Sequence, residues 1–335
     1  MKLRRLALLA AVSLPLASFL LPADEVEFRP SEGTKVSRSI DITIDVVIDE
    51  AVTYMNGEEQ DIGLTGEEGA TLTLSIAVTD EFAAMDDGRP TDLLRTFDEI
   101  SGSVEAQPDD VYKEGSLDDV EGSTVRFKWD EEEGEYIVTF EDGGGDEEIL
   151  DVLAIDMDYQ ALLPDGAVSE DDEWEVAGRD VFSILIPGID IGNLDEARMR
   201  GEEIPAEILD ALDEFLSGVS LTCTYQGTSI SDDVEVGEIA ISGEISGAID
   251  IDPSAFDDSG NLDDGEVSIT MAMDVEGTLL WNLAGGHFHS FELKGDGTID
   301  AEVLIVIPGF DMEFEMIVSV SISLEQTASA TSESE

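Results

Sequence analysis

The sequence predicts a mainly β protein of the α+β kind. Long amphipathic strands would form a large curved antiparallel sheet, or a half-barrel, with a few short helices. Three observations carry this reading. Apolar and polar residues alternate with period two over most of the chain. The alternating runs exceed the usual five or six residues of a strand. Helical periodicity is sparse. In "SIDITIDVVID" the residues Ile40, Ile42, Ile44, Val46 and Ile48 face one way, against Asp41, Thr43, Asp45 and Asp49. "TLTLSIAVT" sets Leu72, Leu74, Ile76 and Val78 against threonines and a serine.

The C-terminal third is the clearest. Ile269, Met271, Met273, Val275, Leu279 and Trp281 share a face. So do Ile299, Val303, Ile305 and Ile307, and then Met312, Phe314, Met316, Val318, Val320, Ile322 and Leu324. Pro308-Gly309 marks a turn between these last two strands. Leu221, Cys223 and Tyr225 alternate with hydroxyl residues, which puts the single cysteine on an apolar face as a small buried hydrophobe.

Helices are expected at "IPAEILDALDEFLSG" (204–218), at "RPTDLLRTFDEISG" (89–102) and, from leading acids and a stopping Pro164, at "DEEILDVLAIDMDYQALLP" (146–164). Residues 326–335 read as a disordered tail. The organisation expected is a signal peptide at 1–23, a β-rich region at 24–217, a C-terminal sheet region at 218–325 and the tail, the two middle regions being one domain or two. "EGSTVRFKWDEEEGEYIVTF" (121–140) and "EGTLLWNLAGGHFHSF" (276–291) share a layout of apolar strand, Trp, Gly-containing turn and aromatic return. Glu135 and Ile137 stand there where His287 and His289 stand in the second copy, so the layout does not require histidine.

"MKLRRLALLAAVSLPLASFLLPA" has the basic start, apolar run and small residues of a secretory signal, with cleavage expected after Ala23. No later run is long and apolar enough for a membrane helix. The expectation is an exported, periplasmic or extracellular protein. The charge is extreme: 80 Asp and Glu against 15 Lys and Arg, formally −65, becoming −68 once Lys2, Arg4 and Arg5 leave with the signal. Nucleic acid and anionic membrane surfaces would repel such a chain. A carboxylate-rich, lysine-poor surface suits salty surroundings, where screening shortens the repulsion to about 8 Å or less.

The chemistry on offer is thin. His287 and His289, the only histidines, stand two apart on a strand, which aims both imidazoles the same way and makes them weak zinc candidates lacking a third ligand. They are expected on the side of Phe291 and Leu293. The acidic loops "DDSGNLDDGE" (257–266) and "EDGGGDEE" (141–148) offer weak calcium binding, although Leu262 sits where an EF-hand needs glycine. No G-x-S-x-G turn and no phosphate-binding loop is present. No cofactor is expected beyond such weak cation binding, and the role expected is non-enzymatic.

The apolar sheet face must be covered by helices, a second sheet or a ligand. Long alternating strands around 36–80 and 219–325, with helices such as 205–217 between, resemble the half-barrel of periplasmic lipoprotein carriers. The segment 162–176, "LLPDGAVSEDDEWEV", and the Trp281 hairpin resemble uncharacterised exported bacterial proteins. The first resemblance, which carries no residue-level motif, implies a lipid or apolar peptide as partner; the apolar strand face that would hold it is lined by Met271, Met273, Val303, Ile305, Phe314 and Met316. The rival is a structural envelope protein with a closed core and no small ligand.

Overall fold

The structure, a computed structural model, describes residues 23–60, 68–107, 110–112, 120–141, 147–189, 211, 214–251, 264–307 and 312–333. One antiparallel, 13-stranded curved sheet dominates it. Seven strands precede a mostly irregular inner segment: β1 (Lys35–Met55), β2 (Glu58–Gln60), β3 (Gly69–Asp86), β4 (Arg89–Gln107), β5 (Asp110–Tyr112), β6 (Thr124–Asp130) and β7 (Glu135–Phe140). That segment, 147–189, holds β8 (Glu173–Ala177) and one helix, α1 (Arg179–Leu185). Then follow β9 (Ser220–Ser231), β10 (Val234–Ile251), β11 (Asp264–Asn282), β12 (His287–Ile307) and β13 (Met312–Glu333). The spatial order is β7-β6-β4-β3-β1-β13-β12-β11-β10-β9-β8, with β2 and β5 as short additions beside β1 and β4.

β1 lies between β3 and β13, so the 24–217 and 218–325 regions share one sheet rather than standing apart. The two look-alike hairpins are indeed hairpins, and each pairs its Trp with an aromatic on the return strand, Trp129 with Tyr136 and Trp281 with Phe288.

Three sequence expectations are corrected. Residues 89–102 are strand β4, not helix. The spacing of Leu93, Phe97 and Ile100 looks helical because β4 bulges: Val78 faces Phe97 while Ala77 faces Glu99, leaving Asp98 as the extra residue. That bulge brings Phe97 and Ile100, three apart, to the same buried face. Of residues 146–164, those described, 147–164, form two short 3-10 turns, Glu147–Val152 and Gln160–Leu162, with irregular chain between. Residues 326–333 of the supposed tail are the end of β13, paired with β1 as far as Lys35 opposite Glu333; the last two lie outside the described residues. Its inward residues are Gln326, Ala328 and Ala330, the alanines small because the inner segment packs there. Of the helix expected at 204–218, residue 211 and the turn 214–217 are helical, and the rest lies outside the described residues.

The core sits between one end of the sheet's concave face and the inner segment. Sheet residues such as Ile40, Val78, Phe97, Ile239, Leu279 and Phe291 meet Leu153, Met157, Tyr159, Leu162, Val181 and Ile184. The Tyr159 ring stacks on Phe291 at 4.1 Å and meets Phe288 edge-on at 5.2 Å. The N-terminal stretch closes this end: Asp24 pairs its backbone with Val168, and Trp281 Nε1 donates to the Glu27 carbonyl at 3.2 Å.

Candidate functional site

Strand parity places Arg38 and Asp80 on the inward faces of β1 and β3, and Arg95 on that of β4, all within the core and all essentially without solvent exposure. A charge buried alone would cost several kcal/mol, so each must find partners. Arg95 grips both oxygens of Asp80, at 2.8 and 2.9 Å. It also donates to the carbonyls of Ala154 and Ile155, at 2.9 and 2.7 Å. Arg38 reaches Asp80 at 2.8 Å and holds both oxygens of Asp158, at 3.2 and 2.5 Å. Two aspartates and two guanidiniums thus tie the sheet to the inner segment with no net charge. On the far side Gln326 of β13 donates to Tyr159 Oη at 3.2 Å and to the Ile184 carbonyl at 3.1 Å. None of these anchoring residues was visible from sequence. The signal that marks them is an arginine at an inward position of an otherwise apolar strand face.

Burial would push the Asp80 carboxyl up, but Arg95 and Arg38 overcome it and hold it below the usual range. Asp156, within the field of Arg38, makes no direct ion pair among the described residues. Burial, with Asp158 beside it, pushes its carboxyl up to about 6 although the backbone of Asp158 and Gln160 donates to it. Burial holds the Tyr159 phenol well above its ordinary value.

The second feature is where this core stops. Its outermost partly buried members on the sheet include Ile44, Leu74, Ile249 and Met271, and Leu324 bounds it on β13. The same concave face continues past them through Val46, Ile48, Val104, Ile269, Ile299, Val318, Val320 and Ile322, all half-buried, and Leu72, which is 39 % exposed. Among the described residues no element of the inner segment lies over this half. Five of the six residues expected to face a ligand belong to it or to its border. Val303 lies opposite Met316 and Ile305 opposite Phe314, all half-buried, and Met271 sits at the border. Met273 does not belong: it is 3 % exposed, within the core. Two clefts, of about 470 Å³ beside Glu25–Phe28 and Leu163–Ala167 and of about 350 Å³ beside Phe215 and Ser246–Ala248, are lined by none of the six.

The histidines part company. β12 carries a bulge where Trp281 faces Phe288 and Leu280 faces Ser290, and His289 is the extra residue. Phe288, not His289, therefore joins Phe291 on the core face. His289 is left 3.8 Å from the exposed carboxylate of Asp232. His287 is buried; its Nδ1 bonds the Phe288 carbonyl at 2.7 Å and its Nε2 has no partner. Burial pushes its pKa down, so the imidazole is neutral. No group of three or more metal-ligating side chains occurs among the described residues. The acidic loops 257–266 and 141–148 lie largely outside them. Cys223 is buried as expected, its thiol pushed up to about 12 by burial.

Among the described residues no helix is long and apolar enough to cross a membrane. No protein-family model matches the chain, and no curated protein is similar to it. Among solved structures it is weakly similar to an outer membrane channel from Pseudomonas putida F1, at 8 % identity over 91 % of this chain and 98 % of that one, with a TM-score of 0.18. Another neighbour, described under asymmetric conductivity of engineered proteins, has 10 % identity over 88 % and 100 %, with a TM-score of 0.16. Likenesses this weak carry nothing over to the chain, whose own geometry is a long-stranded antiparallel sheet locked by buried ion pairs at one end of its concave face.

Proposed function

We propose that the protein is an exported, non-enzymatic binding module that holds an acyl chain on the uncovered half of the concave face. The observation carrying this reading is that, among the described residues, the apolar face outruns the core that covers it. The strands there, β1, β13, β12 and β11, are paired on both sides, so an occupant finds no free backbone groups to bond. That suits a hydrocarbon chain better than a peptide, whose own N–H and C=O would go unpaired. From Phe314 to Ile322 the face runs eight residues along β13, about 27 Å at ~3.4 Å per residue, against about 15 Å for the hydrocarbon of one bilayer leaflet. The outer face carries exposed Asp41, Asp45, Asp49, Asp274, Asp296, Asp300 and Glu302, which argues against lipid on that side. The same acidity favours a ligand with a neutral or cationic head.

A second reading, a structural protein with no small ligand, is favoured by the ion-paired anchoring of the inner segment. Native mass spectrometry of the exported protein, purified without detergent, separates the two. Excess mass in the lipid range, removed by organic extraction and absent from Met316→Glu and Val303→Glu variants of unchanged unfolding temperature, supports the acyl-chain reading. A bare polypeptide mass before and after incubation with a neutral diacylglycerol sinks it.

A further inference from the structure

β9 begins at Ser220, which lies opposite Glu244 of β10. Beyond that point β10 has β11 on one flank and, among the described residues, no strand on the other. The hydrogen-bonding phase follows from one bond at the hairpin end, Leu283 N to the Glu235 carbonyl at 3.2 Å. Odd-numbered residues of β10 bond β11, and the β10–β11 register has no shift, so Ser246, Ala248 and Asp250 turn their N–H and C=O away from it. These three, with Gly247, line one wall of the cleft of about 350 Å³, and Glu214, Phe215 and Gly218 line the other. The edge is built of small residues, with Ala248 and Asp250 exposed. Between Ser246 and Asp250 it carries no lysine, proline or bulge; its one charge is Asp250, and Phe215 packs against it only at Gly247.

We infer that residues 246–250 of β10 pair with the same residues of a second copy of this chain, antiparallel, with Ala248 opposite Ala248 on a two-fold axis normal to the sheet. In that register Ser246 of one copy lies opposite Asp250 of the other. The chain already uses this pairing on its outer face, where directly opposed Ser75 and Asp41 bond at 2.6 Å and Thr71 and Asp45 at 2.5 Å. No like charges oppose each other across the added seam, and both concave faces stay on one side. The contact is short and each copy carries a formal charge of −65, so the dimer is weak and needs salt. Screening contracts from about 10 Å at 0.1 M to about 3 Å at 1 M, which removes the long-range repulsion and leaves the edge bonds. The inference is independent of the acyl-chain reading.

Sedimentation equilibrium of the exported protein tests it. A dimer at 1 M sodium chloride that dissociates at 0.1 M is expected. Ala248→Pro, which removes the outward N–H, and Ala248→Lys, which sets like charges on the two-fold, should each leave a monomer at 1 M with an unchanged unfolding temperature. Paired Cα atoms at such a position are about 5.5 Å apart, within disulfide range, so Ala248→Cys should cross-link the dimer while a cysteine at exposed, mid-sheet Glu302 should not. A monomer at every salt concentration, or a dimer indifferent to both Ala248 variants, overturns the proposal.

Discussion

Arg38 and Asp158 clasp each other through two hydrogen bonds although 120 residues separate them, and neither side chain is more than 3 % exposed. One belongs to a central strand and the other to the segment lying across it, so the pair decides whether that segment stays down. Asp158→Asn should cost about 3–5 kcal/mol in chemical denaturation, because it strips Arg38 of one of its two carboxylates inside the core. Replacing Arg38 by Met and Asp158 by Leu together should cost less than the sum of the single changes. Additive losses would mean that the two residues are not coupled.

Acidity acts with two signs, through Asp156 on the inner segment and His287 on β12. The Asp156 carboxyl is raised from 3.8 to about 6, so its contribution to the folded state is full below pH 3.8 and lost as pH rises through about 6. His287 is lowered from 6.5, so its contribution is full above pH 6.5 and lost as pH falls through its folded value. The two oppose each other, and only a variant separates them. Stability of the wild type minus that of Asp156→Asn should fall steadily between pH 4 and about pH 6.5. A flat difference would place the Asp156 carboxyl at its ordinary value.

Cys223 lies between Trp174 and Ile241 in the sheet and is fully buried. With its thiol pushed up to about 12, almost no thiolate exists at pH 8. An aromatic disulfide reagent should leave the folded protein untouched and titrate one thiol after denaturation. Reaction at the unfolded rate in the native protein would show the β8–β9 edge opening.

Stability should rise with salt. Few of the exposed carboxylates have cations beside them; Lys35–Glu81 and Lys294–Glu325 are among the exceptions. Moving from 0.05 M to 1 M sodium chloride should raise the unfolding temperature by several degrees, as screening removes the self-repulsion of a chain at −65. A flat or falling melting temperature would mean that counter-ions are already held at defined places.

Most of the sheet was legible because burial on one face writes itself as alternation, and Ile40 through Ile48 needed nothing more. The misread stretches have physical causes in common. Bulges at Asp98 and His289 break period two and put buried residues three apart, which mimics a helix in one place and a two-histidine face in the other. The end of β13 was missed because what packs against it is large, so its own inward residues are Gln326, Ala328 and Ala330. The ionic anchor was invisible for another reason. Arg38 and Arg95 are ordinary in composition, and only three-dimensional pairing with Asp80 and Asp158 shows that they are inside.

The seam between β1 and β13 has a consequence for how the molecule is made. Lys35 pairs with Glu333, so β1, at the centre of the sheet, waits for β13, which lies far behind it in the order of synthesis. Until then β3 holds one flank of β1 while the other is a bare edge of about twenty residues. Contacts of such sequence separation form slowly, and an open edge in a half-finished chain invites pairing with its neighbours. The dense acid on the outward face of β1 keeps such chains apart while they wait.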